Sequence, residues 1–79
     1  MSAGLITEFT KCLGEMSYCR AGWDYQLPKD QRAEEDRRCA DALKRAREIW
    51  ADNPAMHDAL TDAFNDAQPL ATMAEIKGE

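Results

Sequence analysis

The sequence predicts an all-α protein, a small antiparallel bundle of three or four helices, with a dimer as one way to complete its core. The chain has thirteen alanines and six leucines but no valine, and β-sheets are built mainly from valine, isoleucine, threonine and aromatic residues. Good helix formers dominate instead. Apolar residues also recur at steps of three and four, which is the spacing by which a helix buries one face.

The first helix is predicted at about residues 2–21. Gly22 follows it, at the position where a residue in the left-handed conformation commonly ends a helix. The apolar stripe has two flanking members, Ile6 and Leu13. Its main members follow one another at steps of four and three: Leu5, Phe9, Cys12, Met16, Cys19 and Trp23.

The second helix is predicted at about residues 28–52, because Pro28 suits a first helical turn. Its stripe consists of Cys39, Leu43, Ala46 and Trp50, with Ala40 and Ile49 beside them. The third helix is predicted at about residues 54–67, with Asn53 as its N-cap. Its stripe consists of Met56, Leu60, Ala63 and Ala67, with Phe64 at the side.

A last short helix is predicted at about residues 70–77, with Leu70, Met73 and Ile76 as its apolar residues. Short connections favour antiparallel neighbours, and 79 residues suffice for a single domain, residues 1–79. No apolar run is long enough to cross a membrane, and the N-terminus lacks the features of a signal peptide. Three cysteines at no framework spacing indicate reduced thiols, so we expect a cytoplasmic protein.

One end of the first helix lacks an apolar counterpart when the second helix is folded back on it. The pairing places Met16 opposite Cys39 and Cys19 opposite Asp36, in a region where helix two offers no large apolar residue. Three explanations stay open: the last segment covers this end, a second copy covers it, or another protein binds there. Exposed aromatic residues near arginine are typical of protein interfaces.

The sequence predicts no catalytic or metal site and no cofactor. Cys12 and Cys19 lie two helical turns apart, too far to share one zinc ion, and each cysteine falls in an apolar stripe, where it packs as a small hydrophobe. A redox crosslink from Cys39 to a cysteine of helix one is the alternative. His57 has no nucleophile or carboxylate held nearby, and phosphate-binding loops and nucleophile elbows are absent from the sequence. We therefore expect a protein that is not an enzyme.

The charge is distributed unevenly along the chain. Residues 1–51 are balanced, and the whole net charge of −5 falls in residues 52–79. Asp58, Asp62 and Asp66 recur every four residues and are predicted to line one side of helix three. The row is interpreted either as a solvated face that keeps the protein soluble or as a strip that docks on a basic surface. Direct binding to nucleic acid or to an anionic membrane is not expected, because both require a basic surface.

These observations predict a non-enzymatic interaction module that binds a larger protein as an inhibitor or regulator. Phage-encoded inhibitors of host proteins, anti-CRISPR proteins among them, include small acidic helical chains of this kind, and such a protein would act in the host cytosol. The alternatives are a self-associating accessory subunit, as a homodimer, and an acidic mimic of nucleic acid. The predicted partner-binding residues are Tyr18, Trp23, Asp24, Tyr25, Leu27, Arg32, Asp58, Asp62 and Asp66.

Overall fold

The protein is an all-α bundle, as predicted. The computed structural model describes residues 2–21 and 28–79, and this part of the chain contains four α-helices and no strand. The helices are α1 (Ser2–Arg20), α2 (Lys29–Asp52), α3 (His57–Ala67) and α4 (Met73–Lys77), with a 3-10 turn at Pro54–Met56 before α3. The predicted bounds of the first two helices agree with these within one residue.

The junction between α2 and α3 differs from the predicted one. Pro54 starts a 3-10 turn, and α3 begins at His57. Asn53 lies at the boundary but does not cap the next helix, because its side-chain amide donates instead to the carbonyl of Ile49, at 2.9 Å. The last carbonyls of a helix have no partner within it. Asn53 therefore stabilises the end of α2 rather than the start of α3.

The last helix starts three residues later than predicted, at Met73. Thr72 is its N-cap, and the Thr72 hydroxyl accepts a hydrogen bond from the backbone of Glu75. The Glu75 carboxylate accepts one in return from the backbone of Thr72, at 2.8 Å, which completes a capping box. Leu70, predicted as an apolar residue of this helix, precedes it and is 52% exposed.

Helices α1 and α2 run antiparallel. Glu8 near the start of α1 forms an ion pair with Arg45 of α2, at 2.7 Å, whereas Cys19 near the end of α1 lies beside Cys39, earlier in α2. The predicted pairing of Cys19 with Asp36 is therefore wrong. The buried face of α2 also differs from the predicted one, because α2 turns Ala42, Ala46 and Ile49 into the core and leaves its larger stripe residues half-buried.

The core is assembled from all four helices. Helix α3 packs on α1, and α4 packs on α2. Ala67, which was predicted in the stripe of helix three, is exposed, whereas Leu60 of the same helix is fully buried. The buried residues are Phe9, Cys12, Leu13, Met16, Ala42, Ala46, Ile49, Leu60 and Ile76.

Polar contacts hold the last segment against the first two helices. Ser17 accepts a hydrogen bond from the backbone of Leu70, at 3.0 Å. Arg20 donates to the Leu70 carbonyl at 2.9 Å and makes a bidentate pair with Glu75 at 2.7 and 3.0 Å. Arg47 of α2 donates to the carbonyl of Glu75 at 2.7 Å. The segment after α3 thus contacts Ser17 and Arg20 near the C-terminal end of α1 through polar groups, while Ile76 of α4 enters the core. Whether it covers the aromatic residues predicted at that end lies outside the described residues.

Because of the Arg20–Glu75 pair, the free energy of unfolding is expected to decrease as the pH falls into the acid range. The Arg20 guanidinium, followed by the backbone of Thr72, lowers the pKa of Glu75 from 4.5 to about 2. A carboxyl whose pKa is lower in the folded state stabilises the fold above its unfolded-state pKa and loses that effect as pH falls. We expect Glu75→Gln to reduce the free energy of unfolding by about 1 kcal/mol at neutral pH. The difference from the wild type should shrink between pH 4.5 and about 2.

Urea denaturation followed by circular dichroism across this pH range measures the difference. Glu79→Gln is the matched control, because it removes a carboxylate from the same end of the chain without removing one of the ion pairs seen in residues 2–21 and 28–79. A constant gap between Glu75→Gln and the wild type down to pH 2 would contradict the assignment.

Candidate protein-binding surfaces

Tyr18 lies on the outer face of α1, over a groove between α1 and α2. Its side chain is 62% exposed, unlike the buried aromatic Phe9 of the same helix. The groove has a volume of about 440 Å³. We call it the Tyr18 groove. Its lining residues are Lys11, Gly14, Glu15, Tyr18 and Arg38.

Gly14 forms the floor of the Tyr18 groove, one helical turn before Tyr18. Glycine in a helix interior costs roughly 1 kcal/mol relative to alanine. A β-carbon placed at Gly14 would meet no atom within 4 Å. Neither the backbone of α1 nor the packing of the bundle therefore requires glycine at this position, and its effect is to leave a notch beside the exposed tyrosine ring.

Arg38 and its neighbours give the groove a polar rim. Arg38 forms an ion pair of 3.5 Å with Glu35, three residues earlier in α2. A second, polar depression continues from the groove along α2 and includes Glu34, Arg37 and Asp41. Tyrosine and arginine are among the residue types that contribute most often to the binding energy of protein interfaces. The groove therefore combines an exposed aromatic side chain with charged groups at its edge.

The other predicted interface residues of this region are only partly described by the structure. Arg32 is exposed on the first turns of α2, and its backbone nitrogen donates to the carbonyl of Pro28, at 2.9 Å. Four more of the predicted residues lie outside the described ranges, so their predicted role stays a prediction: Trp23, Asp24, Tyr25 and Leu27.

The three predicted aspartates form an exposed strip on α3. Asp58, Asp62 and Asp66 are all exposed, and successive carboxylates are about 6 Å apart along the axis by helical rise. None of the ion pairs found in residues 2–21 and 28–79 includes them. We call these three residues the acidic strip.

The position of the acidic strip on α3 does not favour the stability of the helix. Asp58 lies in the first turn, where a negative charge is favourable, but Asp66 lies in the last turn, where it opposes the helix dipole. Like charges four residues apart also repel. The strip therefore costs stability in the isolated protein, and a positive surface brought against it would remove that cost.

His57 and Trp50 form a contact that closes the α2–α3 junction. The two rings stack with centroids 3.7 Å apart and planes inclined by 10°. His57 Nε2 also lies 2.8 Å from the carbonyl oxygen of Trp50, at the end of α2, and the ammonium of Lys77 lies 5.9 Å from the centroid of the Trp50 ring system. These contacts give His57 a structural role at the junction between α2 and α3.

The cysteines occupy two different environments. Cys12 is buried in the core, and burial, followed by the charges of Glu15 and Glu8, raises the pKa of its thiol. Cys19 and Cys39 are half-buried and lie side by side between α1 and α2. Within the described ranges no three histidine, cysteine or acidic residues converge in a way that could hold a metal ion.

The Tyr18 groove was only partly predicted. Tyr18 is among the expected interface residues, but its partners Lys11, Gly14 and Arg38 are not. A signal for the groove is present in the sequence, since Gly14 interrupts an otherwise favourable helical segment one turn from an aromatic residue outside the apolar stripe. The packing of α1 against α2 that brings Arg38 to Lys11 and Tyr18 is not evident from the pattern.

In the described part of the chain, no helix combines the length and apolar character that a membrane span requires. No protein-family model, curated protein or solved structure matches the chain.

Proposed function

We propose that this protein is a non-enzymatic interaction module that binds a larger protein and thereby inhibits or regulates it. The observation that carries the proposal is the Tyr18 groove, in which a tyrosine 62% exposed stands beside a glycine that the fold does not require. In this proposal a side chain of the partner lies over Gly14, between Tyr18 and Arg38.

Two properties of the groove support this proposal. Tyr18 is held on a helix anchored by buried Phe9, Leu13 and Met16, so the ring is presented by a rigid element, and little conformational entropy is lost when it is covered. The rim also carries both signs of charge, Lys11 and Arg38 beside Glu15. A mixed rim favours a specific orientation of a protein partner over general attraction to a polyanion.

The partner has to be identified before the groove is tested. The tagged protein is used to isolate binding proteins from cells, these are identified by mass spectrometry, and the dissociation constant of each is then measured with purified components. Chemical crosslinking should place the partner near Lys11, whose amine lines the groove. Crosslinks that avoid this face would contradict the proposed docking position.

A pair of glycine substitutions separates binding from folding. Gly14→Ala should raise the free energy of unfolding by about 0.5–1 kcal/mol, because alanine favours helix and the space is open. It should nevertheless weaken partner binding at least about tenfold, the loss expected when a central contact is blocked. Gly4→Ala is the matched control, since Gly4 also lies in α1 and an added β-carbon would likewise meet no atom within 4 Å. Thermal unfolding and calorimetric titration provide the two measurements.

The outcome for binding distinguishes the groove from an unused surface. If Gly14→Ala stabilises the protein as expected and leaves the dissociation constant unchanged, the Tyr18 groove is not the docking site. Gly4→Ala should bind like the wild type in either case, so a loss of binding in both variants would indicate a general effect of stiffening α1.

The acidic strip supports the proposal that the same partner also carries a basic region, which binds these three aspartates. Its carboxylates are exposed and take no part in the ion pairs of the described residues. We expect the combined variant Asp58→Asn, Asp62→Asn and Asp66→Asn to bind more weakly and to lose most of the salt dependence of the wild type between about 0.05 and 0.5 M salt, because the screening length of exposed charges falls from about 14 Å to about 4 Å over this range.

The control for the strip is a variant that removes three exposed acids of α2 outside the Tyr18 groove, Asp30→Asn, Asp36→Asn and Asp52→Asn, with the same change in net charge. If both variants lose equal affinity, net charge rather than the strip determines binding. If wild-type binding is insensitive to salt, the strip has no part in docking.

The acidic strip also favours a second candidate function, imitation of a nucleic-acid backbone. Regularly spaced carboxylates with little basic charge nearby present a row of negative charge, as phosphates do. A partner that binds DNA or RNA, and from which free nucleic acid displaces this protein, would support the mimic. A partner without affinity for nucleic acid would exclude it. Self-association, the other predicted alternative, is decided by analytical ultracentrifugation over a range of concentrations.

A further inference from the structure

The packing of α1 against α2 places two cysteines in the same layer. The buried residues of α1 advance from Phe9 to Cys12 and Met16, in steps of three and four. Helix α2 runs in the opposite direction, and its buried residues, read backwards along the chain, are Ile49, Ala46 and Ala42, again in steps of three and four. The next step of three on each helix leads to residues 19 and 39, which are both cysteines.

The contacts and the burial of the two thiols are consistent with their lying in one layer between α1 and α2. The Cys39 thiol lies close enough to Cys19 to contribute to the raised pKa of the Cys19 thiol. Cys19 Sγ donates to the carbonyl of Met16 at 3.5 Å, and Cys39 packs against the core cluster. Both residues are half-buried, so small molecules in solution can reach them, in contrast to Cys12, which is 7% exposed.

We propose that Cys19 and Cys39 form a redox-sensitive dithiol, which hydrogen peroxide or another hydroperoxide converts into a disulfide between α1 and α2. The thiolate of Cys39 attacks one peroxide oxygen, the O–O bond breaks, and the released hydroxide leaves as water while Cys39 becomes a sulfenic acid. The thiol of Cys19 then attacks the Cys39 sulfur. The S–O bond breaks, water leaves with the Cys19 proton, and the S–S bond forms.

The order of these steps follows from the environment of Cys19. Burial, followed by the neighbouring Cys39 thiol, raises the pKa of Cys19 to about 12, so Cys19 is a poor thiolate and is assigned the second step. Glu35, one turn before Cys39 on α2, adds a negative charge near Cys19.

The disulfide would act on the Tyr18 groove, although it does not depend on the function proposed for that groove. Tyr18 and Arg38 line the groove and immediately precede Cys19 and Cys39 in the sequence. A covalent bond between the two cysteines fixes these two walls of the groove relative to each other, and reduction by a dithiol releases them.

Peptide mapping tests the proposal directly on the wild-type chain. The reduced protein is treated at low concentration with hydrogen peroxide, remaining thiols are alkylated under denaturing conditions, and tryptic peptides are analysed by mass spectrometry. Cleavage after Lys11, Arg20, Arg38 and Lys44 yields one peptide with Cys12 and Cys19 and another with Cys39. We expect these two peptides to be linked, with Cys12 alkylated, the link to disappear with dithiothreitol, and the urea midpoint to be higher in the oxidised protein.

Three variants check the assignment of each thiol. Cys12→Ser should form the disulfide as the wild type does. Cys19→Ser should accumulate a sulfenic acid at Cys39 that dimedone traps, and Cys39→Ser should give no dimedone adduct at Cys19 at the same peroxide dose. Absence of a linked peptide in the oxidised wild type, linkage through Cys12, or disulfides only between two chains would each overturn the proposal.

Discussion

Phe9→Ala is expected to lower the free energy of unfolding by about 3–5 kcal/mol, the usual cost of removing a buried phenylalanine side chain. Phe9 is 0% exposed and belongs to a core of nine buried residues. Four of these lie on α1, so the loss of Phe9 weakens the helix on which α2 and α3 both pack. A domain of this size has only a few kcal/mol of stability, and we therefore expect Phe9→Ala to be largely unfolded at 37 °C.

Urea denaturation followed by far-ultraviolet circular dichroism measures this effect. Tyr18→Ala is the matched control, because it removes an aromatic ring from the same helix at a position that is 62% exposed, and we expect a change within about 0.5 kcal/mol. Equal destabilisation by the two variants would contradict the packing described here for α1.

Ile76→Ala is expected to cost about 2–4 kcal/mol, because the side chain is 1% exposed and its removal leaves a cavity in the core. The neighbouring Leu70→Ala should cost less than about 1 kcal/mol, since Leu70 is 52% exposed. The sequence pattern alone treats these two residues as equivalent. The comparison therefore tests the position of α4 rather than the general importance of apolar residues.

Thermal unfolding compares the melting temperatures of the two variants. In a domain of this size, each kcal/mol of lost stability lowers the melting temperature by roughly 4–8 °C. If Ile76→Ala melts at the same temperature as Leu70→Ala, then α4 does not dock through Ile76. The polar contacts of Arg20, Ser17 and Arg47 with this segment would then have to hold it in place instead.

The helices were predictable because their signals are local. The bounds of α1 and α2 lie within one residue of those predicted. The prediction used the apolar spacing along each segment and the prolines at positions 28 and 54. Helix α4 is placed less well, because the predicted stripe includes Leu70 and takes no account of the capping box of Thr72 and Glu75. A capping box begins the helix at a defined residue, and in this case it leaves Leu70 outside.

The contacts between helices were less predictable, because the register depends on side-chain size as well as on spacing. Leu43 and Trp50 have the larger apolar surfaces, and an argument from hydrophobicity places them at the centre of α2's buried face. The structure instead buries Ala42 and Ala46, which leave room for α1 to approach with Met16 and Phe9. The packing of α1 on α2 also brings Cys19 close to Cys39 and Tyr18 close to Arg38, and neither pair can be recognised from one helix alone.

The stacked rings at the α2–α3 junction give this molecule a built-in optical probe. The indole of Trp50 is in contact with the imidazole of His57, and the ammonium of Lys77 lies close to it, so its fluorescence responds when either α3 or α4 separates from α2. With Trp23 replaced by phenylalanine, the emission of Trp50 alone would report detachment of these elements in real time, without any attached dye.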